Sequence, residues 1–236
     1  MEEQEGDEKR GNGDMSYEIW EVIQRKVADG IELQLALQCA PLIAGLKPSN
    51  LLKIRKEDFF AMKEIVRNSH ISWYLLVESG DKVILLLYDR KSLESYLSQK
   101  CVRKMLREAG YQSFSFEGIL REFQVRYQKY METREEFPHE MGLLLGYPVE
   151  DVDGFMKHKG EDALCSGYWK VYKDEDRKRK LFEKFEKAKE TLIQLLSCGI
   201  SMGDIVAICR DEIETKMLPI NFLVKIPDEQ VERKKI

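Results

Sequence analysis

The side chains best suited to chemistry in this sequence are the thiol of Cys39, the imidazole of His139 with Glu140 beside it, and the ammonium groups of Lys47 and Lys170. A thiol becomes a nucleophile or a metal ligand when a nearby cation or helix N-terminus favours the thiolate. Lys47 follows Cys39 within one turn-prone stretch, although a buried thiol is equally a small apolar filler. His139 is the right chemical type for acid–base work near neutral pH, with Glu140 as a second proton carrier. His-Glu also begins the HExxH zinc helix, but Leu143 stands where the second ligand belongs. The pair therefore reads as a helix start or as an acid–base couple. Cys39, His139 and Cys165 together would suit zinc or iron, yet their long separations carry no ligand spacing, and no metal site is assigned.

Binding chemistry is suggested by a second group of residues. Gly142, Gly146 and the pair Tyr147-Pro148 precede a helix start, where free backbone donors can receive a phosphate or carboxylate with Lys47 or Lys170 as counter-charge. The same glycines serve simple tight turns. Tyr168, Trp169 and Tyr172 alternate and can stack on a planar ligand, or on one another across a strand. No Walker or dinucleotide fingerprint is present, so the sequence specifies no cofactor. The basic run 177–180 is interrupted by acids and reads as a solvated helix face.

Charge restricts the partners. Of 42 acidic and 38 basic residues, six acids and two bases fall in residues 1–14, which accounts for the whole net charge of -4 and leaves 36 of each in the remainder. A neutral body gives no electrostatic case for nucleic acid, whose nonspecific binding needs clustered Lys and Arg. No apolar run approaches the length of a membrane span, and the N-terminus lacks a signal-peptide pattern. The five cysteines are an odd number without a CxxC pair and read as reduced thiols. A cytoplasmic protein is expected, with a small molecule or another protein as partner and neither nucleic acid nor membrane; no oligomeric state is specified.

The elements that must position these groups follow from periodicity. Residues 1–15 read as a disordered acidic tail, residues 16–210 as one globular α/β domain of the α+β type, and residues 211–236 as a charged extension with an apolar patch at 220–226. Helical spacing is seen at 17–27, at Leu33 to Ala40, and at 58–68. Residues 39–50, with Pro41, Gly45 and Pro48, are expected to bend or stop the second of these helices. Residues 50–54 suit a short strand. Runs at 73–78 and 82–88 joined by Ser79-Gly80-Asp81 form an antiparallel hairpin, and the VILLLY of the second run is apolar at every position, as in a strand covered on both faces. One helix is expected from an N-cap at Ser92 to Gly110, another from Ser115, another after Pro148, and a long one from about Leu181 to Cys198. A strand at 168–172 would join a small mixed sheet flanked by these helices.

Three blocks, CAPLIAGLKP (39–48), FPHEMGLLLGYPVEDVDGF (137–155) and CSGYWKVY (165–172), together resemble a family of bacterial proteins, mostly from anaerobic clostridia and their relatives, defined as a domain of unknown function. The resemblance covers roughly residues 33–207 and implies a single cytosolic domain; it carries no activity. It also leads one to expect a histidine before Cys39, where this chain has Gln38. Three classes of function follow: a ligand-binding or accessory protein whose site gathers the blocks, with Lys47, Gly146, Tyr147, Tyr168, Trp169 and Lys170 as ligand contacts; an enzyme using Cys39, His139 and Glu140; or an interaction module working through the C-terminal extension.

Overall fold

The structure, a computed structural model, describes residues 30–135 and 137–214. The acidic tail, the helix expected at 17–27 and the apolar patch at 220–226 lie outside these. Within them a three-stranded sheet is packed between two helical layers.

The expected hairpin forms the sheet's spine. β2 (Ile71–Ser79) and β3 (Lys82–Asp89) are joined by Gly80-Asp81, and β1 (Ser49–Arg55) pairs on the other side of β3, giving the order β1-β3-β2. Every pairing is antiparallel. The continuous apolar run predicted a strand covered on both faces, and β3 is that strand. Val83, Leu85 and Leu87 face one core with β1 residues Leu52 and Ile54, while Ile84, Leu86 and Tyr88 face the other.

The first core is covered by α1 (Ile31–Ile43), α2 (Phe59–Val66), α8 (Glu175–Ser197) and α9 (Met202–Glu214). The second is covered by α3 (Arg90–Leu97), α4 (Lys100–Glu108), α5 (Phe116–Thr133), α6 (Met141–Leu144) and α7 (Val149–Lys157). Among the described residues no helix is long and apolar enough to cross a membrane.

Several expectations are corrected. The main sheet is antiparallel throughout, and residues 168–172 do not join it. β5 (Lys170–Val171) pairs instead with β4 (Cys165–Ser166) as a separate ribbon. Both edges of the main sheet are already used: Gln38 Oε1 accepts the Lys53 amide at 3.0 Å on β1, and Gln124 and Gln128 of α5 donate to the Leu75 and Leu76 carbonyls at the β2 bulge. Gln38, standing where a histidine was expected, is thus an edge-covering residue.

The helix from Ser92 to Gly110 is two helices. Asp89, not Ser92, is the N-cap and accepts the Ser92 amide at 2.7 Å, and the chain straightens at Gln99 after Ser98 turns its hydroxyl onto the Ser95 carbonyl. α1 includes Pro41 and ends within the 39–50 stretch, as expected. It stops at Gly45, whose φ of +66° permits the Leu46 amide to reach the Pro41 carbonyl at 2.8 Å. α9 was not anticipated, and it carries regular structure past residue 210.

Candidate functional site

The site begins with two matched helix endings. α6 stops at Gly146, φ +69°, with the Tyr147 amide donating to Gly142 at 2.8 Å, which is the arrangement that ends α1 at Gly45. Each ending delivers a proline two or three residues later, and the two pack together. A Cβ on Gly146 would fall 2.2 Å from Pro48 Cγ, and Ser49 Oγ donates to the Leu144 carbonyl at 2.5 Å. Only glycine allows this approach, and it brings the first block against the second.

Tyr147, the next residue, lies between an indole and an ammonium. Its ring stacks on Trp169 with centroids 4.8 Å apart and planes 28° from parallel, while Lys47 Nζ lies 4.9 Å from the ring centroid. The Trp169 side opens into a cavity of about 280 Å³ between α6, α7 and the β4–β5 ribbon. His139 also lines it, its ring 5.5 Å from Phe137 and 5.4 Å from Phe155. Lys170 and Ser166, both exposed, supply polar groups to the lining. One donor of Lys170 is committed to the Gly160 carbonyl at 2.5 Å, which ties down the turn after α7.

Beneath the indole lies Asp151, 1 % exposed. Oδ2 accepts Trp169 Nε1 at 2.8 Å, and Oδ1 accepts the Tyr172 and Lys173 amides at 2.9 and 3.2 Å. Lys178 Nζ stands 3.4 Å from Oδ2 and donates to Glu150 at 2.9 Å. The basic run was expected to be solvated, but Lys178 is 4 % exposed, because a buried carboxylate requires a counter-charge. Nothing local in the sequence marks Asp151 as the residue that orients Trp169.

The nine expected site residues separate into groups. His139, Tyr147, Trp169 and Lys170 line the cavity. Lys47 and Gly146 lie across Tyr147 from it. Tyr168 packs edge-on against Phe185 at 4.9 Å, in the small cluster between the ribbon and α8. Glu140 points away from His139: it accepts the Tyr111 hydroxyl at 3.2 Å and lies 3.7 Å from Arg126 Nη1. Cys39 is 0 % exposed in the first core, and burial pushes its thiol up to about 12, with the opposing pull of Lys47 the smaller effect. The thiol, imidazole and ammonium expected in one pocket are therefore divided: imidazole and Lys170 share the cavity, and Cys39 is sealed from it. Phe137, Phe155 and Ser166 complete the lining without having been singled out. Among the described residues no cluster of three or more His, Cys, Asp or Glu can hold a metal ion. Burial also raises the Tyr147 phenol to about 12, so it stays neutral.

Fold and site together define an α+β protein with an aromatic-walled cavity at the junction of its helical layer and a short ribbon. The chain belongs to the family described as "Protein of unknown function (DUF3793)", whose model matches residues 35–206 and so spans all three blocks. No curated protein and no solved structure matches the chain.

Proposed function

We propose that this protein binds a small molecule with a flat, largely apolar body in the cavity between His139 and Trp169, within the reducing cytoplasm of a bacterium. One observation carries the reading. Rings from three separate segments, Phe137 and His139, Tyr147 and Phe155, and Trp169, converge on a space of about 280 Å³. Ligand cavities run from about 300 to 1,000 Å³ and combine apolar walls with few polar groups, so this one suits one or two fused rings. Asp151 already has its acceptors filled, which leaves Lys170, Ser166 and the imidazole to orient a polar substituent. That all five cysteines stand outside disulfides agrees with a reducing compartment.

A binding role is favoured over thiol or His-Glu catalysis because neither Cys39 nor the Glu140 carboxylate reaches the cavity. The test is equilibrium dialysis of the full chain against indole and 2-naphthoate, beside Trp169→Ala and the cavity-filling Ser166→Phe. Saturable binding lost in both variants is expected, with naphthoate weakened by Lys170→Met and indole unaffected. Failure of both probes to bind the wild-type chain would end the proposal.

A further inference from the structure

On the solvent-facing side of α8 lies an open groove of about 720 Å³, bordered by Pro148 and Glu150 at the start of α7. Arg177, Lys180 and Lys184 of α8 line it, at spacings of three and four residues on one face of the helix, with Leu181 beside them. All three are exposed. Three other cations of this helix are matched: Arg179 pairs with Glu175, Lys189 with Glu186, and Lys178 with Glu150. Arg177, Lys180 and Lys184 have no ion-pair partner among the described residues.

Like charges three or four residues apart on a helix oppose one another, and the acids at the groove do not cancel these. Glu150 is committed to Lys178, which leaves Asp176, so the uncommitted charges are three positive to one negative. The chain's surplus of acid lies elsewhere. Residues 1–14 hold six acids and two bases, the whole of the net charge of -4. That stretch is within reach of the groove. Glu32, at the start of α1, accepts the Met202 amide at 2.9 Å, which places the start of α1 beyond the C-terminal end of α8. Back from Ser197 to Lys180 is roughly 25 Å along the helix axis, and residues 15–29 can span up to about 50 Å.

We propose that this groove is the docking site of the chain's own acidic N-terminal segment, residues 2–14, whose carboxylates lie along Arg177, Lys180 and Lys184. Tethering decides between this occupant and a free acidic peptide of similar charge, because a linked segment meets its site at an effective concentration of about millimolar. Charges this exposed are screened by salt, so docking is reversible and weakens as ionic strength rises. While docked, the segment keeps other anions out of the groove. The proposal is independent of the aromatic cavity and stands if that one proves empty of ligands.

The test is zero-length carbodiimide cross-linking of the full chain at low salt, read by peptide mass mapping. An equal mixture of unlabelled and heavy-isotope chains separates links within a chain from links between chains. The exposed Lys91 of α3 and Lys100 of α4 are the internal references. Links from residues 2–14 to Lys180 and Lys184 of the same chain should exceed those to the references about fivefold, and fall towards the reference level at about 0.5 M salt. Arg177→Glu keeps both target lysines but reverses one charge of the groove, so it should at least halve their links and leave the references unchanged. Links spread evenly over the exposed lysines, links formed chiefly between chains, an absence of links, or indifference to Arg177→Glu each overturn the proposal.

Discussion

The carboxylate of Asp151 accepts the indole N–H of Trp169 at 2.8 Å, and through that bond a fully buried acid sets the ring that walls the cavity. Its remaining lone pairs hold the backbone just beyond β5, and Lys178 from α8 neutralises it. Three elements thus meet at one residue: α7, the ribbon and α8.

Removing that acid should be among the more damaging single changes. Asp151→Ala leaves Lys178 without its buried partner and strands an indole N–H and two amides. A loss of about 3–5 kcal/mol is expected in urea unfolding. Asp151→Asn, which keeps an acceptor for the indole N–H, should lose less than Asp151→Ala. A single-variant loss below about 1 kcal/mol would show that Asp151 does not organise this junction.

Gly146 and Gly80 make a matched pair. Both have positive φ, +69° and +58°, but an added Cβ meets Pro48 at 2.2 Å in the first and open space in the second. Gly80→Ala should therefore cost about 1–2 kcal/mol from backbone strain alone, and Gly146→Ala about 1–3 kcal/mol more. Equal thermal unfolding shifts would refute the close packing of the first and second blocks.

Thiol accessibility provides a third check. Cys101 and Cys198 are exposed, Cys165 is half-buried, and Cys39 and Cys209 are buried. With a thiol-specific disulfide reagent on the native protein, the first two should react at once, and Cys165 more slowly. The last two should react only as the protein unfolds. Prompt native labelling of Cys39 would contradict its place in the core and reopen thiol chemistry.

Burial of the Lys47 ammonium depresses its pKa, which has a consequence for stability. Its folded value, about 8, lies below the unfolded 10.5, so the unfolded chain binds more protons in that window and stability rises as pH increases through it. Comparison with Lys47→Met isolates the effect from Cys39 and the tyrosines, whose raised values act in the opposite direction. The wild type should gain about 2 kcal/mol on the variant between pH 7 and 9.5, measured by urea titration. A difference independent of pH would show an amine of ordinary basicity.

Much of the framework was legible from residue order alone. The VILLLY run at 83–88, apolar at every position, predicted a strand covered on both faces, and the hairpin turn fell within one residue of its place. A helix was expected to start at Ser115, and Ser115 is its N-cap, accepting the Gly118 amide at 3.1 Å. An error arose where a local signal had two outcomes: Ser92 lost the cap to Asp89 three residues earlier.

What the sequence determined by itself is the set of elements and their inward faces, because periodicity, caps and turn glycines act over a few residues. The site was decided only by tertiary structure. The bonds from Asp151 to Trp169 and Tyr172 and from Glu150 to Lys178 span 18, 21 and 28 residues, and Ser49 reaches Leu144 across 95. Contacts at such separations leave no spacing signal. Whether a cysteine is sealed in a core, or a lysine turned away from water, depends on which helices come to cover it.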